Sequence, residues 1–218
     1  MKSLDLFLPW VAPYVYGAPD TLIRQMLVDA AIEFAHSTSI AQAVVTDTVS
    51  AGVPDYLVLT PSQQELSTVL AVFYQDRMLK PASLQDIESG AAVRAGQDSD
   101  VESPVGTPKY YYQITPDDDS IYLWPRPDET VVNGLAIRAA FQPVRTASSL
   151  EDVLYDWVRD IAYGALARLM KMQGQSFSNP TLAEIHEKMF AAALLQAKNL
   201  GRRGNLRSSA SVRPRAFA

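Results

Sequence analysis

The sequence predicts a mixed α+β protein in which a helical core carries an inserted β-rich module. Three observations support this prediction: helical periodicity near both ends of the chain, β-type runs between them, and a hairpin pattern in residues 109–126. The core consists of an N-terminal helix and an antiparallel C-terminal helix pair, and the module is a small antiparallel sheet or sandwich. The predicted parts are 1–42 (N-terminal segment and helix), 43–146 (β-rich module), 147–200 (helix pair) and 201–218 (extended basic arm).

The composition is that of an ordinary globular protein, with 218 residues of which 48% are hydrophobic and 20% charged. Cysteine is absent from the sequence, which excludes disulfides, thiolate metal sites and cysteine nucleophiles. No apolar run approaches the roughly 20 residues that span a bilayer, so we expect no membrane association. The first residues lack a convincing signal-peptide cleavage site, and we expect no secretion by that route.

The net charge of −5 combines an acidic body with a basic tail. Residues 198–218 contain six Lys and Arg and no acid, so the rest of the chain has 13 bases against 24 acids. An acidic body disfavours nucleic acid as a partner of the whole surface. The tail is either a solvated, disordered end or a segment that folds on a partner. Its last six residues, Arg213 to Ala218, favour docking because two arginines, a proline and a terminal phenylalanine suit a groove.

Helical periodicity predicts the first helix over residues 19–36. Pro19 and Asp20 are typical of a helix start, because proline fits the first turn and aspartate complements the helix dipole. Residues 4–16 contain two prolines and several large apolar groups, which indicates an irregular segment or a short helix packed on the body. The expected apolar stripe of the helix is formed by Leu22, Ile23, Met26, Leu27, Ala30 and Phe34.

The next hundred residues have β-type patterns. Strands are predicted over 43–50, 56–60 and 66–74, and a short helix is predicted to start at Ser83, with Asp86 completing a capping box. Residues 89–108 read as a loop. Two alternating runs, 110–115 and 121–124, form the hairpin, and a further strand over 135–144 is expected to pair beside it.

Two helices are predicted near the C-terminus. Ser148 and Glu151 suggest a capping box at the start of the first helix, which is expected to continue to Gly174. Asn179 and Pro180 suggest the start of the second helix, and Gly201 its end. The expected stripe of the first helix is Leu150, Val153, Leu154, Trp157, Ile161, Ala165 and Leu169, and that of the second is Leu182, Ile185, Met189, Phe190, Ala193 and Ala197.

No pattern indicates catalysis, a cofactor or a metal. The triplet Asp117-Asp118-Asp119 is the most plausible cation site, but consecutive acids at a hairpin tip point in different directions, and we interpret them as a solvated turn. His36 and His186 are far apart in the sequence and have no paired ligand spacing. Nucleophile elbows, dinucleotide fingerprints and phosphate-binding loops are absent from the sequence. We therefore expect a protein that is not an enzyme and needs no cofactor.

The aromatic residues of the hairpin allow two interpretations. Aromatic side chains on a sheet can stack single-stranded bases, and with the basic tail they suggest a single-stranded nucleic-acid binding module. The preferred interpretation is sheet core plus a subunit or tail interface, because acids outnumber bases nearby. The residues predicted for this interface are Tyr111, Tyr122 and Trp124.

Several segments, taken in order, resemble head-to-tail adaptor (connector) proteins of tailed bacteriophages. The resemblance covers roughly residues 18–200 and contains no catalytic motif. The segments are the opening helix Asp20 to Phe34; Val53-Pro54-Asp55-Tyr56-Leu57; Tyr110-Tyr111-Tyr112 followed by Ile121-Tyr122-Leu123-Trp124-Pro125; Leu135-Ala136-Ile137-Arg138-Ala139-Ala140; Asp160 to Leu169; and Asn179-Pro180.

The resemblance implies a structural virion protein at the head–tail interface. Such proteins form a homo-oligomeric ring, usually of twelve copies, beneath the portal protein. The ring extends the DNA channel without binding DNA specifically and supports tail or nozzle proteins. The C-terminal arm of such proteins commonly docks on the portal. The arm residues expected to contact the portal are Arg202, Arg203, Arg207, Arg213, Arg215 and Phe217.

Overall fold

The computed structural model describes residues 1–87, 104–114 and 119–202. Two compact units can be distinguished in it. The helical unit comprises Met1–Ala41 and the described residues from Arg145 onward, and the sheet unit is formed by described residues within Gln42–Val144. Each unit has its own apolar core. The prediction of a mixed α+β protein with helices and antiparallel sheets is confirmed.

The helical unit contains four α-helices and three short 3-10 helices. The α-helices are α1 (Asp20–Thr38), α2 (Asp152–Tyr155), α3 (Val158–Met170) and α4 (Pro180–Arg202). The 3-10 helices are Leu4–Leu6, Leu8–Trp10 and Ala12–Tyr14.

Helix α1 begins within a residue of its predicted start. Pro19, in an extended conformation, precedes it, and Asp20 supplies negative charge to the first turn. The helix ends where Ser39 takes a left-handed conformation, φ 49°, and its N–H bonds the carbonyl of Ala35 at 2.9 Å. The hydroxyl of the buried Thr38 donates to the Phe34 carbonyl at 2.6 Å.

Helices α1, α3 and α4 contribute to one core. Phe34 of α1 lies at its centre, 5.4 Å from the ring of Trp157 and 6.1 Å from the ring of Phe190. Gly164 of α3 faces this contact, because a Cβ built on it would meet the Phe190 ring and Ala30. The segment before α1 packs on the same core through Phe7, Val11 and Val15. Three 3-10 turns therefore replace the irregular segment or short helix expected there.

The prediction of one continuous helix from Ser148 to Gly174 was wrong. Ser149–Leu150 forms strand β10, which pairs antiparallel with strand β1, Lys2–Ser3. Glu151, not Ser148, is the N-cap of α2, and it makes no side-chain cap hydrogen bond. The chain then leaves helical geometry at Trp157, φ −109° and ψ 23°. Long-range contacts accompany both interruptions of the helical pattern: Leu150 pairs with Lys2, and the Trp157 ring packs against Phe34.

The start of α4 confirms a local prediction. The Asn179 side chain accepts the N–H of Leu182 at 3.1 Å, as an N-cap does. Gly174, which has a φ of +77°, lies in the connection between α3 and α4. The expected end at Gly201 was wrong, since α4 continues through it to Arg202. Gly201 lies against the backbone of Thr38, which leaves no room for a side chain.

The sheet unit contains two four-stranded sheets. Their strand orders are β2-β9-β4-β5 and β3-β8-β7-β6. The strands are β2 (Gln42–Val49), β3 (Asp55–Leu57), β4 (Gln64–Tyr74), β5 (Arg77–Met78), β6 (Lys80–Pro81), β7 (Tyr110–Tyr112), β8 (Ser120–Trp124) and β9 (Val131–Pro143).

The predicted hairpin is confirmed by the pairing of β7 with β8, in which Tyr110 lies opposite Trp124 and Tyr112 opposite Tyr122. The expected pairing of the strand over 135–144 beside it was wrong. That strand, β9, lies between β2 and β4 in the other sheet. The two sides of the hairpin are occupied by β3 and β6, and β9 instead pairs with β2 and β4, the two longest of the other described strands.

The capping box at Ser83 is also confirmed. The Ser83 hydroxyl contacts the Asp86 carboxylate at 2.6 Å, and the N–H of Asp86 donates back to that hydroxyl at 3.1 Å. Residues 84–87 are helical. The loop predicted over 89–108 lies mostly outside the described residues.

Candidate interaction surfaces

The residues that sequence reasoning weighed as chemical candidates do not form a site together. His36 lies in the last turn of α1, and His186 lies in the N-terminal third of α4. Within residues 1–87, 104–114 and 119–202, no three His, Asp or Glu side chains are placed to hold a metal ion. The backbone carbonyl of Asp119 accepts the N–H of Val58 at 2.7 Å, and Asp117 and Asp118 lie outside the described residues.

The hairpin has two different faces. Tyr111 is 9% exposed and packs with Leu123 in the core of the sheet unit. Its burial raises the pKa of the Tyr111 phenol. Cross-strand partners share a face, so Tyr110, Tyr112, Tyr122 and Trp124 lie together on the opposite side, which we call the aromatic face. The three predicted interface residues are therefore divided: Tyr111 points inward, while Tyr122 and Trp124 are half-buried on the aromatic face.

The aromatic face is ordered by a ring contact. The rings of Tyr112 and Tyr122 stack with centroids 5.2 Å apart and an interplanar angle of 25°. Asp55 pairs with Tyr122 and Lys80 pairs with Tyr110, so charges of both signs flank the aromatic rings. A groove that follows a nucleic-acid backbone needs an excess of positive charge, and these flanks do not supply one.

A cavity of about 480 Å³ adjoins the aromatic face. Its polar members are Lys109 and Asp86, and its other lining residues are prolines, aromatics and aliphatics. Aromatic and proline side chains in the wall of a cavity suit the docking of a protein segment. The apolar lining comprises Pro81, Ala82, Ile87, Tyr110, Trp124 and Pro125.

The helical unit carries a second groove, of about 370 Å³, which we call the helical groove. The guanidinium of Arg159 lies 4.7 Å from the centre of the Trp10 ring. His186 stacks on Tyr163 with ring centroids 5.5 Å apart, and its burial lowers the pKa of the imidazole. The groove is also lined by Tyr14, Ala162, Leu166 and Met189.

The stripe predicted for α4 divides into two in the structure. Phe190, Ala193 and Ala197 are buried in the helical core, together with Ala183. Leu182, Ile185 and Met189 were expected to be buried with them, but they are exposed. They follow helical spacing of three and four residues, so they form a separate line on one side of the buried face. We call these three residues the α4 stripe.

Of the C-terminal arm, residues 201–218, the structure describes only Gly201 and Arg202. Arg202 is the last residue of α4, and Arg203, Arg207, Arg213, Arg215 and Phe217 lie outside the described residues. Among the described helices, none is long and apolar enough to cross a membrane.

Comparison with known proteins defines the class of this chain. Both described units have exposed apolar side chains on a mixed α+β fold. A model of the SU10 adaptor protein family matches residues 5–215, nearly the whole chain, and the chain belongs to that family. Membership agrees with the resemblance to phage head-to-tail adaptors and places the protein among the structural proteins of bacteriophage virions. No curated protein matches the chain.

Proposed function

We propose that this protein is the subunit of a ring that joins the portal to tail components and extends the DNA channel. The observation that supports this most is the family match over residues 5–215, because it includes both units and most of the basic arm. The ring has twelve copies in this proposal, and it lies at the head–tail interface of the virion. A ring of identical subunits buries two different surfaces on each copy. Both units have exposed apolar residues that such contacts can bury.

The proposed organisation has four parts with separate tasks. The helical parts, residues 1–42 and 147–200, form the body of the ring, and the C-terminal helices pair antiparallel. The β-rich module of residues 43–146 is an insertion that presents the aromatic face. The arm of residues 201–218 reaches the portal.

The charge distribution supports passage of DNA without specific binding. Residues 42–144 contain fourteen acids and six bases, a net charge of −8. The remaining residues up to Arg202 are nearly neutral, with ten acids and nine bases, while residues 203–218 contain four arginines and no acid. An acidic surface repels phosphate groups, so DNA that passes it slides rather than binds. The positive charge is instead placed on the arm, where it suits an acidic groove of the portal.

The central experiment mixes the purified full-length chain with the portal protein of the same phage. Electron microscopy is expected to show a ring on one face of the portal. A chain that forms no ring and binds no portal at any concentration or salt would overturn the proposal.

The role of the arm is tested by substituting Arg213 and Arg215 with serine. Hydrogen bonds to charged groups contribute roughly 1.5–3 kcal/mol each, so portal binding should weaken by at least about tenfold. Lys188→Ser, an exposed base on α4, is the matched control and should bind as wild type does. Equal binding by all three proteins would remove the arm from the portal contact.

The role of the aromatic face is tested by comparing Trp124→Ala with Tyr111→Ala. Trp124 is half-buried on the aromatic face, and its loss should weaken ring or tail assembly while the protein stays folded. Tyr111 is buried, and its truncation should lower the free energy of unfolding by about 3 kcal/mol. Wild-type assembly by Trp124→Ala would argue against an interface at this face.

A further inference from the structure

The α4 stripe is a row of exposed apolar side chains that the fold of one chain does not cover. Helix α4 already buries one face, formed by Ala183, Phe190, Ala193 and Ala197, in the core of the helical unit. Leu182, Ile185 and Met189 extend its apolar arc sideways into solvent. A helix on the surface of a monomer normally needs only its buried stripe. Exposure of the α4 stripe therefore lowers the solubility of the free chain, and a partner that covers the stripe would remove this effect.

The stripe continues into the helical groove. Met189 belongs to the stripe and also lines the groove, which Trp10 and Tyr14 border on its other side. These five apolar side chains, the stripe with Trp10 and Tyr14, are between 37% and 62% exposed. A fully exposed side chain of this size has about 200 Å² of accessible surface, so at these exposed fractions the five side chains together expose roughly 450 Å² of apolar surface.

That area is what one side of a stable interface needs. A standard interface buries about 800 Å² on each partner, and slightly more than half of it is apolar. The largest apolar patch of a typical monomer is about 300–600 Å² and is often functional. The stripe with its groove thus has the size of one half of a protein–protein contact.

The charges of the two units favour a second copy of this chain as the occupant. Two sheet units repel each other, because residues 42–144 have a net charge of −8. The helical unit has ten acids and nine bases up to Arg202, so its copies approach one another without a net electrostatic penalty. Close packing of identical acidic chains is therefore easiest through their helical units.

We propose that the α4 stripe and the helical groove form one side of the contact between neighbouring subunits. This inference rests on the proposed ring and names the surface through which the ring closes. The stripe and groove of one copy receive a different surface of the next copy, as a heterologous contact requires. Met189 and Ile185 lie at the centre of the contact. The side chain of Arg159, which lies over the Trp10 ring, borders it.

Photo-crosslinking tests the contact directly, because the natural chain contains no cysteine. In Met189→Cys, a thiol-reactive benzophenone is attached to the introduced cysteine, which places the photoreactive group on the α4 stripe. Leu195→Cys is the matched control: Leu195 is 68% exposed on the same helix, but it lies about 100° around the helix axis from the stripe. In the assembled protein, alone or on the portal, irradiation should convert the position-189 protein into a covalent pair of subunits at least about tenfold more efficiently than the position-195 protein.

A charge substitution gives an independent reading of the same contact. Ile185→Glu and Met189→Glu place a carboxylate in the apolar patch and should shift the assembly midpoint to at least about tenfold higher protein concentration. Leu195→Glu should assemble as the wild type does, and circular dichroism should show that all three variants remain folded. Sedimentation measures assembly of the free protein, and electron microscopy measures assembly on the portal.

The outcomes separate this inference from the proposed function. Normal rings from Ile185→Glu and Met189→Glu, without subunit crosslinks at position 189, would overturn the contact and leave the adaptor ring intact. Normal rings that lose portal or tail proteins, or crosslink to them, would assign the face to that partner and also overturn the contact. A wild-type chain that forms no ring, free or on the portal, would refute the proposed function and this inference with it.

Discussion

A close contact between α3 and α4 predicts an unusual result for Gly164→Ala. Glycine inside a helix is normally a weakness, and alanine at the same position stabilises the helix by about 1 kcal/mol. Here the added Cβ would lie 2.8 and 2.9 Å from two ring carbons of Phe190 and 3.1 Å from the Cβ of Ala30. Favourable carbon–carbon contacts lie at about 3.5–4.0 Å, so the methyl group overlaps its neighbours.

The overlap should outweigh the gain in helix propensity. Phe190 is buried and its ring contacts Phe34, so a shift of the ring away from the added methyl group would disturb core packing. Overpacking of a core by one methyl group typically costs 1–3 kcal/mol. After the propensity gain is subtracted, we expect Gly164→Ala to lower the free energy of unfolding by about 1 kcal/mol.

Urea unfolding followed by circular dichroism measures this effect on the helices. A double-mutant cycle identifies its cause: in the Phe190→Leu background the ring is absent, and Gly164→Ala should become neutral or stabilising. Ala192→Gly, at an exposed position of α4, measures the propensity term in the same chain and should cost about 1 kcal/mol. The reasoning fails if Gly164→Ala stabilises the wild type, or if its cost is the same in both backgrounds.

Three further predictions concern individual contacts. Tyr56→Phe should lower the free energy of unfolding by about 1–2 kcal/mol, because the Tyr56 hydroxyl donates to the Val53 carbonyl at 2.9 Å. The control Tyr74→Phe should be neutral within about 0.5 kcal/mol, since the Tyr74 hydroxyl has no partner among the described residues. Equal urea midpoints for the two variants would contradict the comparison. Gly201→Ala should destabilise by about 2 kcal/mol in the same assay, because its Cβ would overlap the backbone oxygen of Thr38, and a stabilised variant would disprove that close approach. Burial lowers the pKa of His186 in the folded state, so its contribution to stability is present above its unfolded pKa of about 6.5 and is lost as pH falls through the folded pKa. In the wild type, the free energy of unfolding should therefore fall as pH is lowered from about 8 to about 5. The same fall with pH in His186→Gln would show that another group causes it.

Local sequence signals predicted most of the individual elements. The Asn179 cap, the Ser83–Asp86 capping box and the paired arms of the hairpin depend on residues close together in sequence. Such signals act through local hydrogen bonds and side-chain alternation, which distant parts of the chain rarely override. Most of the β-type and helical segments were therefore assigned to the correct class, with Ser149–Leu150 as an exception.

Partner choice between strands could not be predicted in the same way. The β9 strand has the same alternation whether it lies beside the hairpin or between β2 and β4. Its position depends on which sheet edges are occupied by β3 and β6, and these are set by contacts between distant residues. The broken helix before α3 has the same origin, because Lys2 pairs with Leu150 across almost 150 positions.

The candidate surfaces were only partly visible in the sequence. The aromatic residues of the hairpin stood out, but alternation alone did not say that Tyr111 faces the core while Trp124 faces outward. On α4, periodicity placed Met189 and Phe190 in one stripe, although only Phe190 is buried. A sequence-based signal was available, because the exposed and buried groups lie on neighbouring arcs of the same helix.

The amino-acid sequence was enough to predict the classes of structure and the distribution of charge. Its patterns predicted a mixed α+β protein of assembly, with an acidic β-rich segment and a basic tail, and its order of segments indicated the adaptor family. Which apolar side chains are buried and which stay exposed depends on the packing of the whole chain and became visible in the three-dimensional structure. Burial is a property of three-dimensional packing, and Phe34, Phe190 and Gly164 meet only when helices distant in sequence come together. The exposed α4 stripe is what remains after that packing is complete.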